Sequence, residues 1–143
     1  MYIFDGAMGT MLQAAGLEEG YCPELFNVEK PEVVKNIHAQ YLQHGSDVIT
    51  TNTFGACGLK LEDYDLQDRV REINIAAVKV AKDAIAEFKP SARVAGSMGP
   101  TGRFLQPLGN MSFDSIYDTY REQAEALIEG GVDFIIIETI IDV

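Results

Sequence analysis

Apolar positions along the chain follow two spacings in alternation. Residues 2–4, 47–51, 93–97 and 132–137 are short, largely apolar runs bounded by turn formers, which is the pattern of strands. Between them, apolar residues recur three and four positions apart, as in helices that bury one face. These are Val34, Ile37 and Tyr41, then Val70, Ile73, Ala77, Val80, Ala84 and Phe88, then Phe113, Ile116, Tyr120, Ala124 and Leu127. The predicted order is β-α-β-α-β-α-β. Punctuation agrees with it. Pro31 suits a first helical position with Glu32 beside it at the positive end of the helix dipole, and Gly45 suits a left-handed stop. Ser112 is placed to cap the third long helix, with Asp114 in its first turn, and Gly130 and Gly131 close it before the last strand.

The strands are apolar on consecutive residues, so both faces of the sheet are expected to be covered. Each interval holds a crossover helix and a long loop, which predicts parallel pairing. A (β/α)8 barrel wall and a doubly wound open sheet satisfy that pattern equally well, and periodicity leaves both open. The 143 residues suffice for one domain but fall short of the roughly 250 that a closed eight-stranded α/β barrel takes.

Composition narrows the function classes. Eleven Lys and Arg against twenty-two Asp and Glu give a net charge of −11, which repels nucleic-acid backbones and anionic lipid surfaces. No fully apolar run exceeds the four residues seen at 134–137, too short for a membrane span, and no basic segment leads into an apolar one at Met1. A cytoplasmic location is the expectation. Cys22 and Cys57 form no C-x-x-C or Cys/His cluster and read as reduced structural thiols. His38 and His44 fall within and at the end of the first long helix, where packing and a contact with the helix terminus explain them.

In either parallel architecture, binding groups gather where strands end. Those ends read Asp5-Gly6-Ala7-Met8-Gly9, then Thr51-Asn52-Thr53-Phe54-Gly55, then Ser97-Met98-Gly99-Pro100, then Glu138-Thr139, all more polar than the strands before them. Asp5 and Glu138 form a carboxylate pair suited to an ammonium group. Taken singly, Asp5 also suits a helix cap and Glu138 a surface ion pair; their shared placement at strand ends favours ligand binding. Glycines at 6, 9, 99 and 102 let backbone approach a ligand and offer N–H groups to a carboxylate, although loop geometry alone accounts for them. The residues at 5–9 lack the lysine and the spacing of a phosphate loop.

Four segments in order, residues 5–13 (DGAMGTMLQ), 31–54 (ending GSDVITTNTF), 95–101 (AGSMGPT) and 130–139 (GGVDFIIIET), resemble the homocysteine S-methyltransferase family, most of all its cobalamin-dependent methionine synthase branch. Betaine- and S-methylmethionine-dependent members share the pattern more loosely. The likeness covers nearly the whole chain. It implies a (β/α)8 TIM barrel of which residues 1–143 are the first four β/α units, a half barrel with parallel strands. It further implies that carboxylates matching Asp5 and Glu138 hold the α-amino group of homocysteine. Backbone around Gly6, Ala7 and Thr53 would receive its carboxylate, Ser97, Gly99 and Pro100 would shape the same pocket, and Asn52 is a further expected substrate-binding residue.

The resemblance also implies zinc, bound by three cysteines that lower the homocysteine thiol pKa, with cobalamin and folate handled by other domains of a larger enzyme. The family's zinc cysteines belong to β/α units five to eight and are expected beyond Val143. Neither a metal ligand nor a catalytic residue is therefore expected in this half, and Cys22 and Cys57 match no zinc position. A barrel cut after four strands leaves edges and an apolar inner face, so association is expected, as a homodimer or with a complementary half barrel. Two functions follow from this reading. One is part of a zinc-dependent methyltransferase that makes methionine; the other is a non-catalytic half barrel that at most binds a small amino acid.

Overall fold

The computed structural model describes residues 1–140. Val143, the point beyond which the zinc cysteines are expected, lies outside the described residues. Three strands, β1 (Val48–Thr50), β2 (Arg93–Met98) and β3 (Phe134–Ile137), form a parallel sheet in the order β1-β2-β3. Val48 lies opposite Arg93 in the first pairing, and Ala95 opposite Phe134 in the second. The helices are α1 (Gly9–Ala14), α2 (Phe26–Glu29), α3 (Pro31–Gln43), α4 (Gly58–Leu61), α5 (Val70–Phe88) and α6 (Phe113–Gly130). Among the described residues, no helix is long and apolar enough to cross a membrane.

The strand expected at residues 2–4 does not form. This segment contributes a single parallel bridge, Phe4 to Val48, reinforced by Asp47 N and Val48 N donating to Ile3 O and by Asp5 N donating to Val48 O. It runs beside β1 in the expected direction but pairs on one side over too few residues to make a ladder. Its outer side is open, with Tyr2 61%, Ile3 53% and Phe4 44% exposed.

Neighbours in the sheet follow chain order, with no reversal of the kind that defines a doubly wound sheet, and the fold is a partial TIM barrel. One face of the sheet packs on the helix layer through Ile49, Val94 and Met98, which meet Leu42 of α3, Val78, Ala81, Ala84 and Ile85 of α5, and Leu127 of α6. Gly96 sits on that face because a Cβ there would stand 3.0 Å from the Leu127 side chain. The alternate positions, Ala95 and Ser97 on β2 and Phe134 and Ile136 on β3, face the barrel interior. There the Phe4 and Phe134 rings meet edge to face at 6.1 Å.

The long helices obey their sequence signals. Pro31 opens α3, and Gly45 takes φ 108° just past its end. Ser112 caps α6 by accepting from Ser115 N at 3.1 Å, and Gly131 ends it at φ 85°. The short helices α1, α2 and α4, with irregular turns between them, fill the loops that follow the N-terminal segment and β1. They carry no long period, and the sequence pattern left them as loops.

Candidate functional site

At the carboxyl ends of the strands lies a cavity of about 540 Å³, bordered by Asp5, Gly6, Ala7, Glu24, Asn52, Ser97 and Glu138 among others. Among the described residues, its wall contains no lysine, arginine or histidine. Three carboxylates and no cation among the described residues therefore border one space.

Asp5 is held by β1. Thr50 N donates to its Oδ2 and Thr50 Oγ1 to its Oδ1, both at 2.8 Å. Burial pushes the Asp5 carboxyl above its ordinary pKa; the two Thr50 bonds pull it down, and the charge of Glu138 adds to the rise. Glu138 follows β3 and continues the ladder through its N–H to Met98 O at 3.1 Å. Its Oε1 accepts a 2.5 Å bond from Ser97 Oγ. Each acidic side chain is thus aimed by a hydroxyl on the neighbouring strand. Directly after Asp5 in the chain, the N–H groups of Gly6, Ala7 and Met8 donate to no acceptor among the described residues. Tyr41 of α3 steadies this loop by donating to Ala7 O at 2.9 Å.

Of the residues singled out from the sequence, Asp5, Gly6, Ala7, Asn52, Ser97 and Glu138 border the cavity. Thr53 and Gly99 stand behind its wall. Thr53 is fully buried, its Oγ1 donating to Ser97 O at 2.7 Å, while Gly99 N donates to Phe54 O at 3.0 Å. The Asn52 side chain donates through Nδ2 to the Pro23 carbonyl at 2.8 Å.

Sequence reasoning passed over Glu24. It is 6% exposed and borders the cavity, with Oε1 accepting from Gly55 N at 2.7 Å and Oε2 facing Cys22 Sγ at 3.4 Å. It lies in a short turn between elements, where no period marks a residue as inward. Thr50 was also missed, although its place one residue before a strand end was a usable signal.

The cysteines are poor ligands. Burial, with the charge of Glu24 next, pushes the Cys22 thiol up to about 12, and burial raises Cys57 as well. No group of three or more His, Cys, Asp or Glu among the described residues is arranged to hold a metal. The zinc implied by the resemblance therefore does not fit this set of side chains. Its cysteines, expected beyond Val143, lie outside the described residues.

Fold and site together define a parallel β/α barrel segment with a strand-end cavity bordered by the carboxylates of Asp5, Glu24 and Glu138. Residues 2–143 match the family model of homocysteine S-methyltransferase, and the chain belongs to that family. It is 41% identical to the methionine synthase of Mycobacterium tuberculosis (strain ATCC 25618 / H37Rv) over 145 aligned positions, which take in 94% of this chain and 12% of that protein. It is 37% identical to the methionine synthase of Mycobacterium leprae (strain TN), with the same coverage. The chain thus spans 12% of the length of the curated relatives it matches. The crystal structure of the homocysteine methyltransferase MmuM from Escherichia coli, in its metallated form, superposes with a TM-score of 0.80 at 26% identity, covering 97% of this chain and 54% of that one. The oxidised form gives 0.77.

Proposed function

We propose that this chain supplies the amino-acid-binding strand ends of a zinc-dependent homocysteine S-methyltransferase, an enzyme that forms methionine by moving a methyl group from a donor to the homocysteine sulfur. The observation that carries the proposal is the convergence of Asp5 and Glu138, each fixed by a neighbouring hydroxyl, on a cavity whose described wall has no cation. The α-ammonium group sits between the two carboxylates as a charge-assisted donor. The substrate carboxylate takes the N–H groups of residues 6–8. Its thiol then points into the open interior of the barrel.

In this reading the zinc implied by the resemblance would be held by cysteines outside the described residues, and the chemistry it would supply is a lowered thiol pKa. Cobalamin and folate belong to other domains of the parent enzyme, and the setting is cytoplasmic. The open edge of β3, with Ile137 70% exposed, closes against a complementary half barrel or a second copy of this chain.

Homocysteine titration by calorimetry tests the site. Asp5→Asn and Glu138→Gln should each weaken binding by about tenfold or more, since a charge-assisted bond to an ammonium is worth roughly 1.5–3 kcal/mol. The analogue 4-mercaptobutyrate, which lacks the amino group, should bind wild type no better than homocysteine binds these variants. Unchanged affinity in both variants would refute the assignment.

A second reading is a non-catalytic half barrel that at most binds a small amino acid. Neither reading places stoichiometric zinc on these residues alone, so the Asp5→Asn and Glu138→Gln titrations decide: weakened homocysteine binding in both supports the first reading over the second.

A further inference from the structure

Three carboxamides from three separate helices grip the loop that follows β1. Asn27 on α2, Asn74 on α5 and Gln123 on α6 are buried, with exposures of 2%, 0% and 0%. Asn27 Nδ2 donates to Asn52 O at 2.7 Å, Gln123 Nε2 to Thr53 O at 2.8 Å, and Asn74 Nδ2 to Ala56 O at 2.9 Å. The intervening carbonyl, Phe54 O, takes Gly99 N. Loop carbonyls are thereby turned toward the helix layer. The N–H groups of Asn52 and Phe54, two residues that border the cavity, donate to no acceptor among the described residues.

Gln123 has the widest reach of the three. Its Nε2 also lies 3.4 Å from Ser97 O, the carbonyl that Thr53 Oγ1 already holds. Ser97 is in turn the residue whose hydroxyl aims Glu138. The Oε1 of Gln123 is buried with no partner among the described residues. An unpaired buried oxygen lowers stability, and a methionine would fill the same length without one. A methionine would remove that unpaired oxygen but leave Asn74 Oδ1, which lies 3.4 Å from Gln123 Nε2, without a donor, so the two offset one another and what singles out a glutamine is the pair of carbonyls it reaches.

We propose that Gln123 is a positioning residue for the cavity, fixing the Thr53 and Ser97 carbonyls so that the β1 loop turns its N–H groups to the ligand and Ser97 stays aimed at Glu138. The proposal rests on the amino-acid-binding reading of the cavity and adds a residue on the outer helix layer to it.

Gln123→Met tests it through three readouts on the full chain. The thermal midpoint should shift by only a few degrees, since losing the unpaired Oε1 offsets stranding Asn74 Oδ1. Amide hydrogen exchange at residues 52–55, measured without ligand, should speed up by about tenfold, and homocysteine affinity should fall by about tenfold, the consequence of losing roughly one well-aligned bond. Asn74→Leu is the comparison. It removes the neighbouring carboxamide from Ala56, which does not border the cavity, and costs Gln123 only its 3.4 Å contact with Asn74 Oδ1 while the 2.8 Å bond to Thr53 O stays, so exchange should rise locally while affinity stays within about threefold.

A more strongly lowered midpoint with faster exchange throughout the helices would make Gln123 ordinary core and overturn the proposal. Unchanged exchange at 52–55, or an equal affinity loss in Asn74→Leu, would overturn it too. If wild type binds no homocysteine, the amino-acid reading fails by itself, and the ligand-free exchange still decides whether Gln123 positions the loop.

Discussion

Acid should destabilise this protein through one residue well before its carboxylates titrate. His38, on the inner face of α3, is fully buried, and neither ring nitrogen has a partner among the described residues. Burial pushes its pKa from 6.5 down to about 4. The folded state thus keeps His38 neutral while the unfolded chain takes up a proton as pH falls through 6.5, and stability declines across that window until about pH 4, where both states are protonated. The whole difference corresponds to about 3 kcal/mol, of which roughly 2 kcal/mol is lost by about pH 5.

Other groups act elsewhere on the pH axis. Asp47, Asp63 and Glu72 are held below their ordinary values, chiefly by bonds from Lys89, Lys60 and Arg69, and their stabilisation goes only as pH drops below the usual carboxylate range. Asp5, raised by burial, shifts stability the opposite way, gaining slightly on acidification. Urea unfolding at about pH 7, 6 and 5 for wild type and His38→Met separates these contributions. The wild-type midpoint should fall over that range while the variant's stays nearly flat. Parallel curves for the two proteins would refute the reasoning. Since α3 also carries Tyr41, which holds the Ala7 carbonyl, the same acid loosening should reach the cavity.

Three further outcomes are expected. Gly99→Ala places a Cβ 2.7 Å from both the Phe54 ring and the Phe54 carbonyl oxygen, so it should displace the β1 loop and cost several-fold in ligand affinity by calorimetry along with about 1–3 kcal/mol of stability. Ser112→Ala removes the α6 cap and should cost about 1 kcal/mol in denaturant unfolding, with no effect on ligand affinity because Ser112 does not border the cavity. Cys22 and Cys57, buried and with raised thiol pKa values, should resist a thiol-specific disulfide reagent at about pH 8 in native buffer and react fully in guanidinium; rapid native labelling would show that one of them is open to solvent.

The central strands were legible because a buried parallel strand has a continuous apolar run, and β1, β2 and β3 fall within or at the margin of the expected segments. The N-terminal run has the same composition but pairs on one side only, and composition does not report how many neighbours a strand acquires. Periodicity left barrel and open sheet undecided, since both cover two faces; only strand order distinguishes them, and order is a long-range property. Asp5, Ser97 and Glu138 were readable as polar residues closing apolar runs. Glu24 and Gln123 were not. One sits in an aperiodic turn, and the other occupies a polar slot on an amphipathic helix, where a glutamine looks like solvent-facing surface until tertiary packing buries it.

The first carboxylate of the cavity rides on the most lightly attached stretch of backbone in the sheet. Asp5 reaches the site at the end of a segment joined to β1 by one bridge and a few hydrogen bonds, with Asp47 Oδ2 accepting Ile3 N at 3.1 Å near its start. Anything fused to Met1 pulls on that segment a few residues from the ligand. Affinity tags, fluorophores or surface-immobilisation handles at the amino end would therefore alter the binding they were meant to measure. The exposed turn at residues 90–91, between α5 and β2, lies at the opposite ends of the strands and is the better place to attach them, provided Lys89, which holds Asp47, is left alone.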